Sequence, residues 1–168
     1  MKQSRDLSQG ITFNKEDAMP EKETLERAEQ DKREGKSPST QAGEFVREEI
    51  HHIREGKHGA ASSKQAIAIG LSKARRAGVD LAPPKKGTVT EKTRKSAARD
   101  SRRGHSPKKK AVSARRSRSS EAALKREPRS AASHKALSRQ AKNAARTRKK
   151  SAARTTQSRT KQTRRKAA

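Results

Sequence analysis

Apolar and polar residues alternate along residues 20–82 with a helical period, and they mark three segments. Residues 21–34 predict a charged helix with two i,i+4 pairs in the favourable order, Glu23 with Arg27 and Glu29 with Arg33. Leu25 and Ala28 are its only apolar positions, and Gly35 is a fitting stop. Ser37-Pro38 supplies an N-cap and a proline at the first turn of a second helix. In it Ala42, Phe45, Val46, Ile50 and Ile53 fall on one face, Glu44, Glu48 and Glu49 mostly occupy the rest, and Gly56 closes it. A third helix opens at Ser62, which stands three residues before Gln65 as in a capping box. Ile67, Gly70, Leu71 and Ala74 share its face, while Ile69 points away. Gly78 suits the left-handed position after the helix, and Val79 suits a contact back onto Ala74. Gly70 has no Cβ, so another helix can approach closely there.

Beyond residue 82 the pattern changes. Pro83-Pro84 cannot continue a helix and marks a border. Residues 83–168 contain 30 Lys/Arg, 20 Ser/Thr and 16 Ala, and the only bulky aliphatics are Val89, Val112, Leu124 and Leu137. Such a segment predicts disorder, because it has too little apolar surface to offset its ordering entropy. From Ser130 to Arg154 there is no Pro or Gly, so a helix induced by phosphate is expected there. The sequence thus predicts a small all-α module of two to three short helices followed by a long intrinsically disordered basic tail. The organisation is a disordered N-terminus over 1–19, a helical module over 20–82 and a disordered Lys/Arg/Ser/Ala-rich tail over 83–168. The first 18 residues are polar and poorly patterned, and Met19-Pro20 reads either as an alternative start of translation or as part of an ordinary disordered N-terminus.

Charge sharpens this division. The net charge of +27 is concentrated in one half of the chain. Residues 1–82 hold 15 Lys/Arg against 14 Asp/Glu, and residues 83–168 hold 30 against 4. Hydrophobic residues are only 27% of the chain, and ten large apolar side chains over residues 20–82 make a marginal core that self-association or a ligand would help. Cysteine is absent, which excludes disulfides, thiolate metal sites and a cysteine nucleophile. No apolar run approaches a membrane span and no signal-peptide core is visible, so a cytoplasmic location is expected.

A polycation of this kind suits a polyanion, with double-stranded DNA first and RNA second. Ser/Thr hydroxyls add phosphate contacts that position without specifying. The candidate nucleic-acid-binding residues are Ser106, Pro107, Lys108, Lys109 and Lys110, then Arg115, Arg116 and Arg118. Further along stand Arg146, Arg148, Lys149, Lys150 and Arg154, and last Arg164, Arg165 and Lys166. Within the module, Lys57, Ser62, Ser63 and Lys64 surround the start of the third helix, where free N–H groups and cations suit a phosphate. Lys73, Arg75 and Arg76 complement the dipole at its other end or touch a DNA backbone.

Other chemistry has little support. His51, His52 and His58 cluster near Glu48, Glu49 and Glu55, but adjacent histidines on a helix point in different directions, so no metal and no other cofactor is assigned. No spacing places a nucleophile beside a base, no P-loop is present, and no catalytic residue is assigned. With no tail aromatics there is no platform for stacking single-stranded bases. The loop between the second and third helices is longer than a helix-turn-helix allows, which argues against sequence-specific reading.

The stretch Gly43-Glu44-Phe45-Val46-Arg47-Glu48-Glu49-Ile50-His51-His52-Ile53, together with Lys64-Gln65-Ala66-Ile67-Ala68-Ile69-Gly70-Leu71-Ser72-Lys73-Ala74-Arg75-Arg76-Ala77-Gly78, resembles small bacterial proteins that carry a helical domain of unknown function and are loosely labelled DNA-binding. That resemblance covers roughly residues 20–87 and implies a bacterial source without implying a mechanism. The tail resembles the linker-histone C-terminal domain and bacterial histone-like proteins, and Ser106-Pro107-Lys108-Lys109 resembles their minor-groove element. The resulting expectation is a non-enzymatic, non-sequence-specific DNA-binding protein of the bacterial nucleoid, with a homo-oligomer formed through the module. RNA or ribosome association, and a protein-interaction adaptor localised by its tail, are the alternatives.

Overall fold

The computed structural model describes residues 20–107 and 113–166, with side chains through residue 153. Its first three helices follow the sequence pattern closely: α1 spans Lys22–Arg33, α2 Pro38–Glu55 and α3 Ser63–Ala77. The Ser37 hydroxyl accepts from the Thr40 amide and the Ser62 hydroxyl from the Gln65 amide, so both caps form as their residue types dictate. The Gln65 side chain accepts from the Ala61 amide, which completes the turn before α3. At the far end of α3, Gly78 has φ +98°, and the amides of Val79 and Gly78 donate to Ala74 and Arg75 in the paired pattern of a Schellman turn.

α2 and α3 form an antiparallel hairpin. Ala42 and Phe45 near the start of α2 pack with Ala74 and Val79 at the end of α3, and Ile53 near the end of α2 packs with Ala66 near the start of α3. At their crossing, Gly70 faces the Phe45–Val46 backbone so closely that a Cβ there would lie 2.6 Å from Val46 Cα. α1 lies on α2 through buried Thr24 and Ala28, with half-buried Leu25, and Arg27 pairs with Glu44 at 2.8 Å. Ile67 and Ile69 are both half-buried.

The expectation of a disordered tail is overturned. Within residues 83–107 and 113–166 the chain forms α4 (Glu91–Gly104), α5 (Ala114–Lys125), a 3-10 turn (Arg129–Ala132) and the long α6 (His134–Lys166). Bulky aliphatics are scarce in this half, but its contacts with α2 and α3 are made through alanine, glycine and backbone. Alanine loses no side-chain entropy on burial and is the best helix former. Ala97 is buried, and Gly104 lies directly against the Arg75 carbonyl of α3, where no Cβ would fit. The Ser72 hydroxyl of α3 donates to the Asp100 carboxylate of α4 at 2.6 Å. Thr90 caps α4 through the Thr93 amide.

The 3-10 turn makes the second attachment. Ala131 and Ala132 join Ile53, Ala60 and Ala66 in one buried cluster, with Ile50 at its margin. The Arg54 guanidinium donates to the Ala132 carbonyl at 2.9 Å, and the Gly59 and Ala60 amides donate to the carbonyls of Leu124 and Pro128. The hairpin's open face is therefore covered by the chain's own C-terminal half. The buried Ser63 hydroxyl donates to the Ala131 carbonyl at 2.6 Å. Ser63→Ala is expected to leave that carbonyl buried without its donor and to cost about 1–3 kcal/mol, read as a lower Tm in thermal denaturation.

One further expectation changes inside α2. Glu48 and Glu49 are buried rather than on the outer face, at 4% and 0% exposure, because Lys73 of α3 reaches them. A buried carboxylate needs such a partner. Among the described residues no helix is long and apolar enough to cross a membrane.

Candidate nucleic-acid interface

Ser62, Ser63 and Lys64 form one wall of an open groove of about 430 Å³, and the opposite wall is the start of α6 with Arg139, Gln140 and Asn143. The groove exists because the 3-10 turn docks beside the α3 N-terminus and delivers α6 to it. Ser133 caps α6, its hydroxyl accepting from the Ala136 amide. Two of the sequence candidates are already engaged here, since the Ser62 hydroxyl caps α3 and the Ser63 hydroxyl holds Ala131. What the α3 terminus offers a ligand is therefore its first backbone N–H groups, which a helix leaves without internal acceptors, and the exposed Lys64 ammonium.

Arg139 was not singled out by the sequence, and it is the residue that links the groove to the rest of α6. Arg139, Lys142, Arg146 and Lys149 are exposed and recur at intervals of three and four, with exposed Lys150 four residues after Arg146, so they form one stripe along the helix. Arg148 is exposed as well, on a neighbouring line. α6 as a whole carries 13 Lys/Arg and no Asp/Glu. At 33 residues it is about 50 Å long, a length of duplex that bears about 29 phosphate charges.

The remaining candidates are distributed elsewhere. Arg115, Arg116 and Arg118 are exposed on α5, which buries nothing. Ser106 and Pro107 are exposed just after α4, while Lys108, Lys109 and Lys110 lie outside the described residues. Arg154, Arg164, Arg165 and Lys166 belong to the last turns of α6, and Met19 lies outside the described residues. Lys57 stands apart from the groove, where its ammonium pairs with Glu21 at 3.2 Å and Glu55 at 3.3 Å.

Two basic residues of α3 turn inward. Lys73 is buried against Glu48 and Glu49, and buried Arg75 donates to the carbonyls of Leu81 and Ala82. Burial lowers the Arg75 guanidinium from its ordinary value, against the opposing pull of Asp100. Both serve the fold, and Arg76 alone of the three is exposed. The two adjacent histidines diverge as their helical spacing requires: His51 is exposed beside Glu55, and His52 is buried.

No curated protein matches this chain, and no solved structure does. Residues 31–86, a third of the chain, match a family of unknown function (DUF6496). That match runs from the end of α1 through α2 and α3 and stops short of α4, so the hairpin that forms one wall of the groove is a helical domain of unknown function.

Proposed function

We propose that this protein is a non-enzymatic, non-sequence-specific DNA-binding protein of the bacterial nucleoid, acting by phosphate neutralisation along α6. The observation that carries this reading is α6 itself, a continuous helix with 13 cations and no acidic residue that starts at the α3 groove. A preformed helix changes the mechanism from that of an unstructured polycation. It holds its cations at fixed intervals along the duplex, so less ordering entropy is lost on binding. Roughly half the cations of a helix can face one duplex. About six or seven phosphate contacts then give a slope of log K against log salt near −6.

The groove fixes where the helix begins on the duplex. A backbone phosphate seated there meets the α3 N-terminus, Lys64 and Arg139 together. The charge reversals Lys64→Glu and Arg139→Glu, combined, remove two contacts and add repulsion. They are expected to weaken binding to a random-sequence duplex by about tenfold to a hundredfold at physiological salt, measured by fluorescence anisotropy. Binding within twofold of the parent protein would show that the groove takes no part. Parallel titrations with duplex RNA separate DNA from RNA preference, and tighter binding to RNA would overturn the nucleoid assignment.

A further inference from the structure

We propose that Glu49, His52 and His58 form a binding site for a single divalent transition-metal ion, zinc by the chemistry of the donors, which ties α2 to the loop that carries the α3 N-terminus. One ligand atom from each of the three residues lies within 4.8 Å of the others. Glu49 and His52 are one helical turn apart on α2, and His58 reaches them from the loop after Gly56. Two histidines and one carboxylate are a recurrent zinc donor set.

The hydrogen bonding around the cluster points to a cation. The His58 Nδ1 stands 3.1 Å from the Gly59 carbonyl, which can only accept, so Nδ1 carries a hydrogen. In the neutral ring Nε2 then holds a lone pair, and Nε2 stands 3.3 Å from Glu49 Oε1 with no hydrogen bond between them. Two acceptors this close, with no hydrogen bond joining them, can share a positive ion set to one side of the line between them. Their separation is also close to the roughly 3.3 Å between neighbouring ligands of a tetrahedral zinc with bonds near 2.0–2.1 Å. Glu49 is fully buried, and neither of its oxygens has a hydrogen bond.

The surroundings are those of a supported site. His52 Nε2 lies 2.8 Å from the Glu21 carboxylate, so in the neutral ring the lone pair is on Nδ1. Each imidazole thus gives one ring nitrogen to an oxygen acceptor, the usual outer partner of a metal-bound histidine. Lys73 Nζ sits 2.9 Å from Glu49 Oε2, the oxygen away from His58. It orients the carboxylate and leaves Oε1 to the ion. Bound metal would lock the loop whose Gly59 amide contacts Leu124, and so would couple the hairpin to the C-terminal half.

The test is a chelator-competition titration of the full chain with zinc ion alone, with visible absorption on replacing zinc by cobalt as a second readout. The expected result is one ion per chain and cobalt bands of tetrahedral intensity. His58→Ala is expected to lower zinc affinity at least about tenfold and to abolish the cobalt bands. His51→Ala, which alters an exposed ring outside the cluster, is expected to stay within twofold. Should circular dichroism show His58→Ala to be unfolded, Glu21→Ala serves instead, with an expected loss of about tenfold through the outer partner of His52. No stoichiometric binding by the parent chain, or equal affinity in the folded variant and the parent, would overturn the site.

Discussion

Removing residues 147–168 is expected to weaken binding to duplex DNA about a thousandfold at roughly 0.15 M salt while the helical fold stays in place. The deleted segment contains nine Lys/Arg. With roughly half facing the duplex, four or five phosphate contacts disappear. Counterion release makes each contact worth about 0.7 log units at that salt relative to 1 M. The fold should survive because, among the described side chains, the last buried residue is Ala132 and the last half-buried one is Ala144. Anisotropy titrations measure the affinity, and circular dichroism should show only the loss of the removed helical turns. Affinity within tenfold of the full chain would mean that the hairpin or α5 is the principal binding element.

A second large effect is expected at the helix crossing. Gly70→Ala should destabilise the protein by about 2–3 kcal/mol, although alanine is favoured over glycine in a helix by about 1 kcal/mol. The added Cβ would stand 2.6 Å from Val46 Cα and 2.9 Å from the Phe45 carbonyl oxygen. Those are backbone atoms of α2, so no side chain can rotate away and the helices must separate. Separation would loosen fully buried Phe45 and the ion pairs of Lys73 beneath it. Gly43→Ala supplies the control, since a Cβ at this exposed position of α2 meets nothing within 4 Å. It should raise stability by about 0.5–1 kcal/mol. Thermal or urea denaturation of the two variants measures both signs, and a stabilised Gly70→Ala would mean that α2 and α3 do not cross as described.

The hairpin was legible because its signals are local. Ser37, Gly56, Ser62 and Gly78 each act on neighbouring backbone groups, and a helical period needs no knowledge of its partner. What α2 packs against is not local. Glu48 and Glu49 read as surface residues because nothing nearby in sequence announces Lys73, and His52 reads as one of an ambiguous pair until Glu21 and His58 arrive beside it. The order of the C-terminal half is hidden from the sequence for a different reason. A count of bulky side chains measures large cores, and it misses seams where Ala97, Gly104, Ala131 and Ala132 let backbone meet backbone. The signals that could have been used were Thr90 as a cap, the Glu91–Arg94 pair and the 3-4 spacing of Arg139, Lys142 and Arg146. The groove needed both halves, since Lys64 and Arg139 are brought together only by the docking of Ala131 beneath Ser63.

The proposal that α6 binds duplex DNA through its phosphates is tested most directly by the salt dependence of affinity, measured with random, A/T-rich and G/C-rich duplexes of equal length. The account predicts a slope of log K against log salt near −6. It also predicts affinities that differ by less than about tenfold among the three duplexes, because phosphate contacts carry no sequence information. A slope near −2, together with discrimination above about a thousandfold, is the behaviour of a protein that reads base edges, and that result would contradict phosphate neutralisation by α6.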